Sequence, residues 1–147
     1  MAEMEELVRA ALLTFNSVTA LVGTGSSARI RADNLRQGET LPAIIIEIDD
    51  ERYPNDLTGT SGRMYDDVNL ICRDTTRKKS RALATAVRLN GTDPGTGLHG
   101  YGGTVLSTRL DAWLEDIVPS RTPRDDKSDR RWYDVNMSFQ CTALVTA

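Results

Sequence analysis

The residues able to do chemistry sit in a few short stretches. NGTDPGTGLHGYGGT, Asn90 to Thr104, contains Gly95-Thr96-Gly97-Leu98-His99-Gly100, the G-x-G-x-x-G of a dinucleotide-binding loop, and the only histidine of the chain. A working loop of that kind follows a strand and opens a helix at its last glycine, because the helix N-terminus holds the pyrophosphate. Here a helical pattern precedes the glycines and an alternating pattern follows them, and G-K-[ST] occurs nowhere. The stretch therefore reads as a long mobile connection that a partner orders. His99 as a general base would need an acid or nucleophile fixed beside it, and a glycine-rich loop fixes poorly. It reads as a surface histidine.

The other candidates also lean away from catalysis. In EIDDE, and at Asp66-Asp67, neighbouring carboxylates on a strand point to opposite faces and cannot converge on a metal. They read as solvated strand edges that discourage aggregation. Cys72 and Cys141 lack C-x-x-C spacing and fall on apolar strand faces, as inert buried thiols do, and with one histidine they exclude a structural zinc site. The run TRKKSR places Arg77, Lys78, Lys79 and Arg81 at a helix start, opposing the helix dipole by roughly a few tenths of a kcal/mol each. Such a cluster suits an acidic partner surface or a phosphate backbone. Trp113 and Trp132 fall on the polar sides of their strands, where large aromatics mark contact with another chain. No nucleophile–base pair, metal cluster or cofactor loop emerges, so the chain reads as a non-enzymatic interaction module without a cofactor.

The elements that position these residues follow from periodicity. AEMEELVRAALLTF carries Met4, Leu7, Val8, Ala11, Leu12 and Phe15 at helical spacing, with Glu3, Glu5 and Glu6 at the favourable end of the dipole. Asn16 or Ser17 caps a second short turn ended by Gly23, and a short strand is expected at Ala28 to Arg31. The β-branched run from Ala43 to Ile46 predicts a central strand led in by Pro42, and PNDLTGTSG a turn. RMYDDVNLICRD alternates as a strand with one wet face. Asp74 or Thr75 then caps a helix over TRKKSRALATAVRLN, with Leu83, Ala86, Val87 and Asn90 as its stripe, Ala82 and Ala84 as close-approach points, and Gly91 as its end. TVLSTRLDAWLEDI predicts one strand, with Leu106, Thr108, Leu110, Ala112 and Leu114 on one face. WYDVNMSFQCTALV alternates over its whole length as a half-buried antiparallel strand. The order helix, strand, strand, helix, strand, strand predicts an α+β domain, an antiparallel sheet of about four strands with helices on one face. Long loops are expected at about 90–104 and 119–131.

The totals bound the reading further. A chain of 147 residues is most simply one domain with a real core. Its net charge of −3 and 5% aromatic content do not suggest a general nucleic-acid coat. No apolar run reaches membrane length, and the acidic opening MAEMEELVRAALL is unlike a signal peptide, which gives the expectation of a protein made and kept in a cytosol.

Taken in order, MEELVRAALL, VTALVG, the R-I-x-x-x-x-L stretch, LPAIIIEI and RALATAVRLNG resemble the tail completion family of long-tailed phages. The resemblance spans nearly the full length. It implies a tail terminator: a virion protein whose copies form a homo-oligomeric, hexameric ring at the neck end of the tail. That ring would cap the tail tube protein, stop its polymerisation, and meet a head-side connector or stopper, with DNA crossing the lumen unbound and no membrane involved. A connector or stopper of the same neck is the alternative. On this reading the expected contacts are the glycine segment with Gly97, His99 and Tyr101, the basic turn Arg77 to Arg81, and Trp113. The loop Arg124, Asp125, Asp126, Lys127, Arg130 and Arg131, with Trp132 after it, completes the set. The glycine stretch and this loop look longer than the family usually has.

Overall fold

Helix α1, Met4–Leu12, presents one apolar stripe, and all of Met4, Leu7, Val8, Ala11 and Leu12 are buried. The computed structural model describes residues 4–32, 40–52, 55–56, 59–60, 63–90, 97–121 and 132–145. Phe15 is the buried corner between α1 and α2, Asn16–Val22, so Asn16 and Ser17 lie inside α2 and do not cap it by their side chains. The missing cap comes from elsewhere: the Ser17 N–H donates to Asn90 Oδ1 at 3.3 Å. Gly23 ends α2 at φ 94°, a conformation that favours glycine. A 3-10 turn, Gly25–Ser27, leads to β1, Ile30–Ala32, slightly later than the sequence suggests.

The strands that follow are β2 (Ala43–Arg52), a small hairpin of β3 (Asn55–Asp56) and β4 (Gly59–Thr60), and β5 (Arg63–Asp74). Helix α3 spans Arg77–Leu89, and β6 (Tyr101–Val105), β7 (Thr108–Arg121) and β8 (Tyr133–Val145) complete the chain. The main sheet has six strands in the order β1-β2-β5-β8-β7-β6. All neighbours run antiparallel except β1 and β2, which are parallel. The expectation of about four antiparallel strands is therefore corrected in two ways.

Both corrections have local causes. TVLSTRLDAWLEDI is a hairpin: β6 and β7 are joined by Leu106 and Ser107, both at positive φ (49° and 61°). Such two-residue turns usually advertise themselves with Asn-Gly or Gly, and Leu-Ser does not. The parallel pair comes from β1, three residues added to the β2 edge in the register Ile30–Ile44, Arg31–Ile45 and Ala32–Ile46, too short to carry a period of their own. The expected loops also shrink. Tyr101 to Thr104 belong to β6, and Pro119 to Arg121 belong to β7, with Pro119 on a stretch of β7 that has no outer neighbour among the described strands. Residues 91–96 and 122–131 lie outside the described residues.

Register builds the core. Ile46, Leu70 and Met137 form one cross-strand row, and Ile48, Val68, Phe139 and Leu114 the next. Against this face pack the helices, α3 on β5 and β8, and α1 on β2, β6 and β7. One helix reaching strands from both ends of the order requires a curled sheet. Helix α3 buries Ser80, Leu83, Ala84, Ala86 and Val87; Ala82, an expected close-approach point, is exposed. Its N-cap is Thr76, whose side chain accepts from the Lys79 N–H at 3.1 Å, while Asp74 accepts from Thr75. Asn90 ends it in the left-handed conformation.

Cys72 and Cys141 are free and fully buried in this core. Burial pushes both thiols up in pKa, helped by Asp134 for Cys72 and by Asp66 and Asp67 for Cys141. Asp66 departs from the expected solvated edge. β5 is a central strand, and Asp66 is buried opposite Cys141 on the helix-facing side.

Candidate partner interface

The glycine segment is built into the fold over Gly97 to Val105. Leu98 is fully buried, and the N–H groups of Leu98 and His99 donate to the carbonyls of Val87 and Arg88 in the last turn of α3. A Cβ on Gly97 would lie 2.3 Å from the Arg88 carbonyl oxygen, so only glycine permits this approach. Gly100 turns the chain at φ 76°. Beyond it, a Cβ on Gly102 would meet the Arg109 guanidinium at 2.7 Å, and one on Gly103 the Tyr101 hydroxyl at the same distance. The glycines thus make room for side chains of their own hairpin. A strand opens at Tyr101, where a pyrophosphate loop would open a helix.

His99 is held, contrary to the expected mobile surface position. Its Nδ1 accepts the Leu114 N–H at 3.0 Å, and its ring lies 4.4 Å from that of Trp113. Nδ1 therefore serves the backbone of β7, and the proton of the neutral ring sits on Nε2. Tyr101 packs edge-on against Phe15 at 5.8 Å. Gly97 and Tyr101 act as supports for the segment, and His99 rests against Trp113 of β7.

Strand β7 carries the exposed surface. Beyond its pairing with β6 its outer side has no neighbouring strand among the described residues, and a bulge falls between Leu114 and Asp116. The bulge absorbs Glu115, so Trp113, Asp116 and Val118 stand opposite Gln140, Ser138 and Asn136 on the face away from the helices. Trp113 is 60% exposed, Val118 49% and Ile117 38%, and Glu115 and Asp116 are exposed between them. Asp116 Oδ1 also accepts the N–H of Ile117 at 2.8 Å. A shallow open hollow of about 240 Å³ beside Trp113 is lined by Gly100, Asp111, Gln140 and Thr142 among others. It is smaller than an ordinary small-molecule pocket of roughly 300–1,000 Å³.

The basic turn stands at the far end of the same strands. Arg77, Lys78, Lys79 and Arg81 are all exposed. The Arg77 guanidinium lies 5.9 Å from the Tyr133 ring centre. Beneath it, Arg73 makes a two-point ion pair with Asp134, at 2.8 and 3.0 Å, and covers Trp132 at 4.9 Å from the ring centre. Trp132 is thus half-buried under an arginine rather than freely displayed like Trp113, and its Nε1 is buried without an acceptor among the described residues. The ion pair Arg73–Asp134, and the margin Glu115 to Val118, were not among the sequence candidates. Both depend on strand register, which alternation alone does not give.

Arg124, Asp125, Asp126, Lys127, Arg130 and Arg131 lie outside the described residues. Among the described residues no group of three or more His, Cys, Asp or Glu side chains is placed to hold a metal ion.

The profile of the tail completion protein gp17 family matches residues 6–89, more than half of the chain. The chain belongs to this family. The matched region runs from α1 to the end of α3, and the β6–β7 hairpin and β8 that follow it join the same sheet. Among solved structures, a chain from the virion of a native gene transfer agent particle has the same fold. The TM-score is 0.62 at 17% identity, over 95% of this chain and 93% of that one. No curated protein matches in sequence. For a member of the tail completion family the role is structural, and Trp113, the β7 margin and the basic α3 turn are its exposed features.

Proposed function

We propose that the chain is a tail terminator subunit. Copies close into a hexameric ring on the last ring of the tail tube protein, stop its polymerisation, and present their other side to the head-side connector. The observation that carries this reading is the family match over residues 6–89. Two features are in keeping with it: an exposed tryptophan and two aliphatic side chains line an unpaired strand margin, and a charged turn is set apart from them. A ring of identical subunits needs two different patches on each copy, repeated to closure. DNA crosses the lumen without being held, which a chain of net charge −3 favours.

Polymerisation of tube protein with and without this protein tests the reading. Tubes that stop growing at one end, with rings of six visible there, are the expected result. Unaltered tubes, with binding to the connector alone, would point instead to a stopper on the head side of the joint.

A further inference from the structure

We propose that the Trp113–Val118 margin of β7 receives the basic α3 turn of a second copy, and that this is the contact repeated around the ring; the inference rests on the ring reading above. The margin combines an exposed indole with two exposed carboxylates, Glu115 and Asp116. That combination suits a guanidinium or ammonium group, which the indole face attracts and the carboxylates pair. The same chain carries such groups at Arg77, Lys78, Lys79 and Arg81, all exposed and without a carboxylate partner among the described residues. At the start of a helix they also oppose the dipole, a penalty that external carboxylates relieve.

Charge decides the type of contact. A margin facing its own copy would set Glu115 and Asp116 against carboxylates, and a turn facing itself would set cation against cation. Both two-fold arrangements are repulsive, whereas margin to turn is attractive and heterologous, the kind that closes into rings. Simple strand addition along β7 is discouraged. The Leu114 N–H is taken by His99, the Ile117 N–H is taken by Asp116, and the bulge breaks the repeat. Contact is therefore through side chains.

The test uses the full chain and three variants: Lys78→Glu with Lys79→Glu, Glu115→Lys with Asp116→Lys, and all four changes together. All sites are exposed, so melting temperatures taken at dilutions where every sample is a single subunit should match the wild type and certify folding. The readout is native mass and sedimentation, alone and with tube protein. Wild type forms rings; each double variant alone associates at least about tenfold more weakly, because like charges now meet. An equimolar mixture of the two double variants, and the fourfold variant, reassemble. Double variants that form rings as well as wild type overturn the proposal, as does a mixture and fourfold variant that both stay monomeric. Loss of duplex DNA retention in Lys78→Glu/Lys79→Glu with ring formation unchanged would assign the turn to phosphate and overturn it equally. A wild type that is monomeric both alone and with tube protein would remove the ring reading itself, and the proposal with it.

Discussion

Along β7, alternate side chains live in two different settings. Leu110, Ala112 and Leu114 turn toward the helices and join the core, while Trp113, Asp116 and Val118 turn away and stay largely exposed, Trp113 resting beside His99. The inward set closes the fold; the outward set includes a large apolar side chain that the fold does not use. Burying an aromatic of that size is worth about 1.5–3 kcal/mol, so leaving it in water is informative where partners are expected. The glycine segment sharpens the contrast. Its resemblance to a cofactor loop suggests function, yet its glycines are consumed by packing on α3 and by the hairpin's own side chains. The plainer sequence WLEDIV carries the surface.

Changes on the inward side should cost stability. Phe139→Ala, in the middle of the row Ile48, Val68, Phe139 and Leu114, should lose about 3–5 kcal/mol in urea unfolding. A loss below about 1 kcal/mol would mean that the row is not the centre of the core. The buried thiols give a pH signature next. Unfolded cysteine ionises near pH 8.5, while Cys72 and Cys141 stay neutral in the folded protein because burial raises their pKa. Their contribution to stability is present in full below about pH 8.5. Above it, stability falls by about 1.4 kcal/mol per thiol per pH unit as the unfolded state loses protons first. Urea midpoints at pH 7.5 and 9.5 read this directly, and the fall should halve in Cys141→Ala relative to its own pH 7.5 value.

Gly97→Ala probes the packed glycine. With a Cβ 2.3 Å from the Arg88 carbonyl oxygen, the variant should lose about 1–3 kcal/mol; a neutral result would mean that the segment is loose after all. The hairpin turn gives the smallest effect, and in the opposite direction. Replacing Leu106-Ser107 with Asn-Gly removes two side chains unsuited to positive φ and should raise stability by about 1 kcal/mol, read as a higher melting temperature.

How far the sequence could be read depended on period. β5 and β8, where alternation runs for ten residues or more, emerge with their faces correct, as do the buried stripe of α1 and most of that of α3. The β6–β7 turn was hidden because Leu-Ser occupies a conformation usually given to Asn-Gly, whereas the short strand expected at Ala28 to Arg31 is found as β1, with only its parallel pairing unread. Asp66 looked solvated because a charge on a strand usually is, and only the order of strands places β5 in the middle. The exposure of the basic turn and of Trp113 was legible from residue type and alternation. Asp116 and Val118 were not, since it takes the bulge at Glu115 to bring them to the same face as the tryptophan. Arg73 and Asp134 pair across strands 61 residues apart, a register that alternation leaves open.

The proposal is that this chain acts by assembly, through side chains that its own fold leaves outside. Sedimentation of Trp113→Ala beside the wild type, with melting curves for both, tests it most directly. Rings in the wild type and single subunits in the variant are expected, with stabilities that differ by no more than about 0.5 kcal/mol once both are diluted to single subunits. A variant that assembles as fully as the wild type would contradict it.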